Sequence, residues 1–140
     1  MEIRSVNDDN LASVISFLEK LLVIKDINKT VVLNGELVFE DEVIGFLSFE
    51  EFNRIGLVRY FVFKKIVPKS VITELFLKVA NKAKEKGIDV LITMVVKDEA
   101  IHIFKDLGFE LVDINDVYID EVNIKDTKFK DAIVLKYLLK

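Results

Sequence analysis

Few side chains in this sequence of 140 residues are of types that do covalent or metal chemistry. There is no cysteine and one histidine, His102, so disulfides, thiolate metal sites and cysteine nucleophiles are excluded. His102 falls between Ile101 and Ile103, which we expect in the core, and it has no second histidine with which to share a metal, so we expect an exposed helix residue there. The reactive side-chain groups that remain are carboxylates, hydroxyl groups and amines.

Tyr60 and Glu50 are the candidates for a proton-transferring group. Tyr60 lies in an apolar segment and could act as an acid or hydrogen-bond donor, but we favour core packing, which is usual in a buried strand. Glu50 and its neighbour Glu51 end a predicted strand, where a carboxylate can deprotonate an amine directly or through water. Two adjacent glutamates are more commonly a solvated turn, so the catalytic group stays unknown.

A cluster of lysines surrounds the start of a predicted helix that follows Pro68. Lys64, Lys65 and Lys69 lie near its first turn, where positive charge and free backbone N–H groups can attract an anion. A solvated lysine patch explains the same residues equally well. Ser70 could donate to a phosphate, but a serine at the start of a helix more often caps its own backbone, and we favour the cap.

The amino-acid composition indicates which classes of binding partner the protein is not expected to have. A formal net charge of −4 arises from intermixed lysine, glutamate and aspartate, so the overall field does not favour DNA or RNA. No apolar run reaches the ~18 to 20 residues needed to cross a bilayer, and the first residues lack the features of a signal peptide. We therefore expect one cytoplasmic domain over residues 1–140 that binds neither nucleic acid nor a membrane.

Helical spacing of apolar residues recurs along the chain. Asp8 and Asp9 can cap the first of these segments, and glycines Gly87 and Gly108 end the later two. The predicted helices cover residues 11–22, 69–86 and 99–107, the last with Asp98 as its cap.

Runs of β-branched and aromatic residues separated by turn signals predict the strands. Those between Thr30 and Phe49 predict an antiparallel meander. Segment 55–63 is apolar at nearly every position, as in a strand buried on both faces, so it should be central and pair in parallel with 88–96. The predicted strands are 3–6, 30–33, 37–39, 43–49, 55–63, 88–96, 109–112 and 132–139. The fold class is α/β (α+β), with a mixed central sheet and flanking helices.

The order of these elements is similar to that of the GNAT superfamily of N-acetyltransferases. Segment 100–110, AIHIFKDLGFE, resembles the family's A-I-x-L-Y-x-x-L-G-F-x segment. Segment 84–87 resembles the end of its central helix, and 43–46 its I-V-G-F strand. The resemblance spans essentially the whole chain. It implies transfer of an acetyl or other acyl group from acetyl-CoA to a small-molecule or peptide amine, and a homodimer is a possible assembly.

In the family, a Q/R-x-x-G-x-G/A loop opens the central helix, so that backbone N–H groups and the helix dipole hold the pyrophosphate of acetyl-CoA. Counting back from Gly87 without gaps places residues 67–72 there, and Lys69 still suits a phosphate. The glycines that let a phosphate approach closely are absent. The departures are Val67 for the polar first residue, Pro68 without an N–H, and Ser70 and Ile72 for the two glycines.

Two further departures fall in the same region. Phe104 stands where the family usually has a tyrosine whose hydroxyl protonates the departing thiolate, and Lys97 takes the place of a common asparagine. These changes leave open the alternative of a catalytically inactive module that senses a ligand or binds a protein. The resemblance puts the pantetheine of CoA between the predicted strands 55–63 and 88–96. The implied cofactor-binding residues are Phe61, Val62, Phe63, Lys69, Ser70, Val71, Ile72, Lys97 and Phe104.

Overall fold

The computed structural model of the protein describes residues 1–95, 98–116, 118–119, 122–123 and 132–139. The helices are α1 (Leu11–Leu22), α2 (Lys29–Leu33), α3 (Lys69–Glu85) and α4 (Asp98–Leu107), with a 3-10 turn at Ile114–Asp116. The strands are β1 (Glu2–Ser5), β2 (Glu36–Glu40), β3 (Glu42–Phe52), β4 (Ile55–Phe63), β5 (Val90–Val95), β6 (Glu110–Val112), β7 (Tyr118–Ile119), β8 (Val122–Asn123) and β9 (Ile133–Leu138).

The main sheet contains seven strands in the order β1-β2-β3-β4-β5-β9-β6. Its β4–β5 pair is parallel, and its other neighbouring pairs are antiparallel. The mixed sheet, the antiparallel run from β2 to β4, the central place of β4 and the crossover through α3 are therefore confirmed. Strands β7 and β8 pair with each other in a separate ribbon.

The predicted first strand of the meander, 30–33, is wrong, because these residues lie in the short helix α2. The side chain of Asn28 caps this helix by accepting the N–H groups of Thr30 and Val31 at 3.0 and 3.3 Å. Val31 and Val32 are then buried, with 2% and 0% of their surface exposed. A local cap and tertiary burial therefore outweigh the β propensity of this threonine- and valine-containing run.

The predicted cap of α1 is also wrong. Asn10, and neither Asp8 nor Asp9, occupies the N-cap position, and its side chain makes no capping bond. The side chain of Asn7 accepts the N–H groups of Asp9 and Asn10 at 2.9 and 3.0 Å. The turn before the helix is therefore organised by a short amide side chain that bonds its own neighbouring backbone.

Apolar residues pack on both faces of the sheet. One cluster lies under α3 and α4 and includes Leu47, Leu75 and Phe76, and a second lies under α1 and α2 and includes Val14 and Phe46. The neighbouring residues Phe46 and Leu47 fall in different clusters because side chains alternate between the faces of a strand. We call these sides of the sheet the α3/α4 face and the α1/α2 face.

Glycines follow helices α3 and α4, as predicted. Gly87 follows α3 with a φ of 83°, and Gly108 follows α4 with a φ of 107°. This left-handed backbone favours glycine, so the chain turns sharply into the strand that follows each helix. Among the described residues, no helix has the length and apolar character needed to cross a membrane.

Candidate functional site

The sheet splits between its two parallel strands. The β4–β5 ladder covers the pairs from Ile55–Val90 to Leu57–Ile92. Beyond that point β4 stays paired with β3 through Phe63, whereas β5 stays paired with β9 through Val95. The two strands therefore diverge into a cleft at their carboxyl ends.

A bulge marks the start of the cleft on β4. The register between β3 and β4 shifts by one residue between Leu47 and Phe49, opposite Arg59 and Tyr60. Ser48, which is fully buried, donates its hydroxyl to the carbonyl of Arg59 and accepts the N–H of Tyr60 at 3.1 Å. Because a bulge bends a strand and re-aims its side chains, Ser48 helps to fix the direction in which β4 leaves β5.

The cleft holds a cavity of about 500 Å³ on the α3/α4 face. The ring of Phe61 meets the rings of Phe63 and Phe104 edge to face, with both centroid distances at 5.5 Å. Of the described residues in the lining, Thr93 alone has a polar side chain, and the others present hydrocarbon or thioether groups. The lining residues are Val58, Phe61, Phe63, Ile72, Thr93, Met94, Val95, Ala100, Ile103 and Phe104.

Alternation along β4 separates Val62 from its neighbours. The N–H of Lys64 donates to the carbonyl of Ile44 at 2.7 Å, so the backbone groups of Lys64 and Val62 point toward β3. The N–H and C=O groups of Phe61 and Phe63 therefore point the other way, toward the cleft, and the rings of both residues line the cavity. The Val62 side chain packs on the α1/α2 face. The structure therefore brings Phe61 and Phe63 to the cavity and leaves Val62 behind it.

Helix α3 begins beside the cleft. Pro68 occupies the N-cap position with an extended backbone, and no side chain caps the helix, so the prediction that Ser70 is the cap is wrong. The carbonyl of Pro68 accepts the N–H groups of Val71 and Ile72 at 3.0 and 3.3 Å. Among the described residues, the N–H groups of Lys69 and Ser70 have no partner. Two donors therefore remain at the positive end of the helix dipole.

Two of the three clustered lysines belong to surface ion pairs. Lys64 pairs with Glu42, and Lys65 pairs with Glu40, at the turn between β2 and β3. The hydrogen bond with Lys65 holds the pKa of Glu40 below its usual value and raises the pKa of Lys65. The solvated interpretation therefore describes these two lysines better than an anion site does.

Lys69 lies at the entrance of the cleft. Its ammonium group is 3.5 Å from a carboxylate oxygen of Asp106, and its side chain is 89% exposed. Lys69 precedes the lining residue Ile72 by about one turn of α3, and Asp106 follows the lining residue Ile103 by about one turn of α4. The pair therefore connects the two helices above the cavity. Val67, which precedes the helix, is buried in the core and is not a polar loop residue.

Tyr60 and Glu50 lie close together on the other side of the sheet. The Tyr60 hydroxyl accepts the N–H of Asn28 at 3.2 Å, and its ring packs in the cluster under α1 and α2. Glu50 pairs with Arg59 at 3.0 Å, and the guanidinium of Arg59 lies 5.2 Å from the centroid of the Tyr60 ring. Neither Tyr60 nor Glu50 lines the cavity, so any role in proton transfer would be played from the α1/α2 face.

The remaining predicted residues differ in their exposure and in their position relative to the cavity. Lys97 lies outside the described residues. His102 is exposed, as predicted, whereas its neighbour Ile103, predicted to be core, is 44% exposed and lines the cavity. The prediction that segment 55–63 is buried on both faces is also wrong, because Val58 borders the cleft and Arg59 is exposed.

Sequence reasoning missed Ser48 and Thr93. A signal existed for Thr93, because it is the single polar residue in the run Val90–Val95 and therefore a polar group in a predicted core strand. Ser48 interrupts an apolar strand in the same way, but nothing in the sequence reveals the bulge opposite it. Within the described part of the chain, no cluster of three or more histidine, cysteine, aspartate or glutamate residues could hold a metal ion.

No protein-family model and no curated protein matches the sequence. Its structure is similar to a probable acetyltransferase from Staphylococcus epidermidis, with a TM-score of 0.69, 21% identity and 99% of each chain covered. It is also similar to an acetyltransferase of the GNAT family from Streptococcus pneumoniae, with a TM-score of 0.69, 17% identity and 99% of each chain covered. The chain has the GNAT acetyltransferase fold.

The same GNAT fold occurs in N-acetylglutamate synthase from Neisseria gonorrhoeae, solved with coenzyme A and N-acetyl-glutamate. That match has a TM-score of 0.71 and 16% identity, and it covers 99% of this chain and 35% of the synthase chain. This chain therefore spans about a third of the length of the synthase. At such identities the likeness lies in the fold, and the α+β architecture with a mixed sheet is confirmed.

Proposed function

We propose that this protein is an N-acyltransferase that moves an acetyl or other acyl group from CoA to an amine. The observation that carries the proposal is the cavity of about 500 Å³ in the split between β4 and β5, in a chain with the GNAT fold. A split of the sheet gives an extended ligand both an apolar wall and free backbone groups. The solved structure of the N. gonorrhoeae synthase contains coenzyme A, which supports CoA as the donor here.

The residues around the cleft fit the parts of acetyl-CoA. The backbone groups of Phe61 and Phe63 would hold the amides of the pantetheine arm, and the ring of Phe104 would close the apolar wall. The N–H groups of Lys69 and Ser70, with the helix dipole and the Lys69 charge, would hold the pyrophosphate. This site has fewer backbone donors than a glycine-rich loop, so we expect weaker binding of CoA.

The proposed transfer would depend more on the positioning of the two reactants than on acid or base side chains. The amine nitrogen attacks the thioester carbonyl, the carbon–sulfur bond breaks, and the amine loses a proton to a base or to water. Holding the two reactants in this geometry supplies much of the rate. Phe104 has no hydroxyl with which to protonate the sulfur.

The acceptor would approach from the α1/α2 face. Glu50 and Tyr60 lie on that side together with Arg59, and we keep Glu50 as the candidate base, acting through water. The synthase complex with N-acetyl-glutamate supports a small-molecule amine such as an amino acid as the acceptor. A peptide amine, a homodimer, a cytoplasmic location and the lack of nucleic-acid binding stay predictions. No specific observation favours the inactive module.

Release of free thiol from acetyl-CoA tests this function. The protein would be incubated with acetyl-CoA and a panel of amines that contains each amino acid, polyamines and short peptides. We expect at least one amine to raise thiol release in proportion to protein concentration, with the acylated amine visible by mass spectrometry. Measurable binding of acetyl-CoA without acylation of any amine in the panel would contradict the proposal.

A further inference from the structure

Among the described residues that line the cavity in the cleft, one side chain is polar, and it has no hydrogen-bond partner within the described part of the chain. Thr93 is 3% exposed, and it makes no hydrogen bond through its hydroxyl with the described residues. Within the described ranges, no fully enclosed side-chain oxygen or nitrogen lacks a partner, so the Thr93 hydroxyl must open to the cavity that it lines. A hydroxyl that opens to a cavity can bond to water or, once a ligand displaces that water, to a polar atom of the ligand. The Thr93 hydroxyl is therefore a donor available to a molecule bound in the cavity.

Thr93 lies at the narrow end of the cleft. The last paired residues of the two strands are Leu57 and Ile92, so Val58 and Thr93 are the first residues beyond the ladder. Phe63, at the open end, follows Val58 by five positions along β4, a span of roughly 17 Å. An extended pantetheine arm has a comparable length. With its phosphates at the start of α3, acyl-CoA would place its thioester beside Thr93.

We infer that the Thr93 hydroxyl donates a hydrogen bond to the CoA sulfur as the carbon–sulfur bond breaks, in the place of the tyrosine hydroxyl that Phe104 lacks. The inference rests on the proposed function. The bond from the amine nitrogen to the acyl carbon forms, and the electron pair of the broken bond goes to sulfur. The amine proton goes to water, and Thr93 keeps its own proton, because an alcohol is a much weaker acid than a thiol.

A hydrogen bond from Thr93, without transfer of its proton, is enough for this step because CoA can leave as a thiolate. A thiol has a pKa near 8.5, so a thiolate is a tolerable leaving group around neutral pH once one hydrogen bond stabilises it. Hydrogen bonds to charged acceptors are the stronger kind, and the apolar lining of this cavity strengthens them further. The same lining makes a lone thiolate costly without the Thr93 donor.

Titration of the thiol of bound CoA tests the inference without knowledge of the acceptor. The ultraviolet absorbance of the thiolate would be followed against pH for the unchanged protein, for Thr93→Val, which keeps the shape, and for Thr93→Ser, which keeps the hydroxyl. We expect the thiol pKa to be higher by about one pH unit in Thr93→Val, and Thr93→Ser to match the unchanged protein. Equal thiol pKa values in the unchanged protein and in Thr93→Val would overturn the inference.

The kinetics give a second test once an acceptor is known. Thr93→Val should lower kcat about tenfold or more while the Kd for acetyl-CoA changes less than threefold, since the interaction strengthens as charge develops on sulfur. A higher Kd for acetyl-CoA with an unchanged kcat, or no change in either quantity, would contradict the inference. If no variant and not even the unchanged protein binds CoA, the proposed function itself fails, which is a different result. Thermal unfolding of each variant checks that the fold is intact.

Discussion

Lys69 and Asp106 face each other across the entrance of the cleft, with 3.5 Å between the ammonium nitrogen and a carboxylate oxygen. The pair joins the first turn of α3 to the last turn of α4. Both side chains are largely exposed, at 89% and 62%, so the pair itself contributes little to stability. The position of the pair matters for ligand binding, because an anion bound at the start of α3 would take the place of the Asp106 carboxylate beside Lys69.

Reversal of the charge at Lys69 should therefore weaken CoA binding. We expect Lys69→Glu to raise the Kd for CoA about fivefold or more at low salt, and less at high salt, because exposed charges are screened. Asp106→Asn should lower the Kd about twofold, since it removes a negative charge from the same entrance. Calorimetry at two salt concentrations measures both. Glu74→Gln, at an exposed position further along α3, is the control. A Kd that does not respond to Lys69→Glu would mean that Lys69 is not a phosphate ligand.

Ser48→Ala should destabilise the fold and disturb the cleft. The change removes the hydroxyl that bonds the carbonyl of Arg59 and leaves the buried N–H of Tyr60 without its acceptor at 3.1 Å. The expected loss of unfolding free energy is about 1–3 kcal/mol. Urea denaturation measures it, with Ser13→Ala on the exposed side of α1 as the control. Equal stability of Ser48→Ala and the unchanged protein would show that Ser48 does not hold the bulge.

Val23→Asn should stabilise the protein. Val23 ends α1 in the left-handed region with a φ of 54°, and its side chain is 86% exposed. This conformation is costly for a β-branched residue, and asparagine tolerates it, so we expect a gain of about 1 kcal/mol. Thermal and urea unfolding measure the gain. Ile24→Asn, at the next position and without a positive φ, should give no gain. A loss of stability in Val23→Asn would show that its apolar side chain matters more than backbone strain.

The Glu40–Lys65 pair predicts a specific dependence on pH. The hydrogen bond to Lys65 lowers the pKa of Glu40 in the folded state below its ordinary value. The stabilisation is therefore complete above the pKa of the unfolded chain and is lost as the pH falls through the lower folded pKa. In Lys65→Met the pKa of Glu40 should rise, as followed by carbon NMR of the carboxyl group. High salt should reduce the difference in the pKa of Glu40 between the two proteins, because it screens the exposed charges. A Glu40 pKa that is the same in both at low salt would refute the pairing.

The order of the sheet was predictable because its strands are runs of β-branched and aromatic residues separated by turn signals. The runs 37–39, 43–49 and 55–63 and the glycines after α3 and α4 all favour the structure observed. Local bonds caused the errors in the helices. Asn28 caps α2 through two backbone N–H groups, and Asn7 organises the turn before α1, and neither bond leaves a periodic pattern. Propensity therefore predicted the meander and missed its first element.

The cleft was only partly predictable, because it depends on where pairing stops. The resemblance to the GNAT superfamily implied that Phe61, Phe63, Ile72 and Phe104 lie near one site, and the structure brings their side chains to one cavity. Nothing in the sequence indicates that the β4–β5 ladder ends at Leu57, and this ending is what opens the buried Thr93 to the cavity. A polar residue inside an apolar strand is the one signal that could have drawn attention to it.

Calorimetric titration with acetyl-CoA tests the central claim most directly. The unchanged protein should bind acetyl-CoA at one saturable site, Ala100→Trp should abolish binding by filling the cavity, and His102→Trp should leave it intact. Ala100 lines the cavity and His102 lies exposed on the same helix, so the two variants differ mainly in whether the new ring enters the cleft. The absence of heat and of thermal stabilisation at millimolar acetyl-CoA would contradict the account, because a ligand that occupies the folded state must raise its stability.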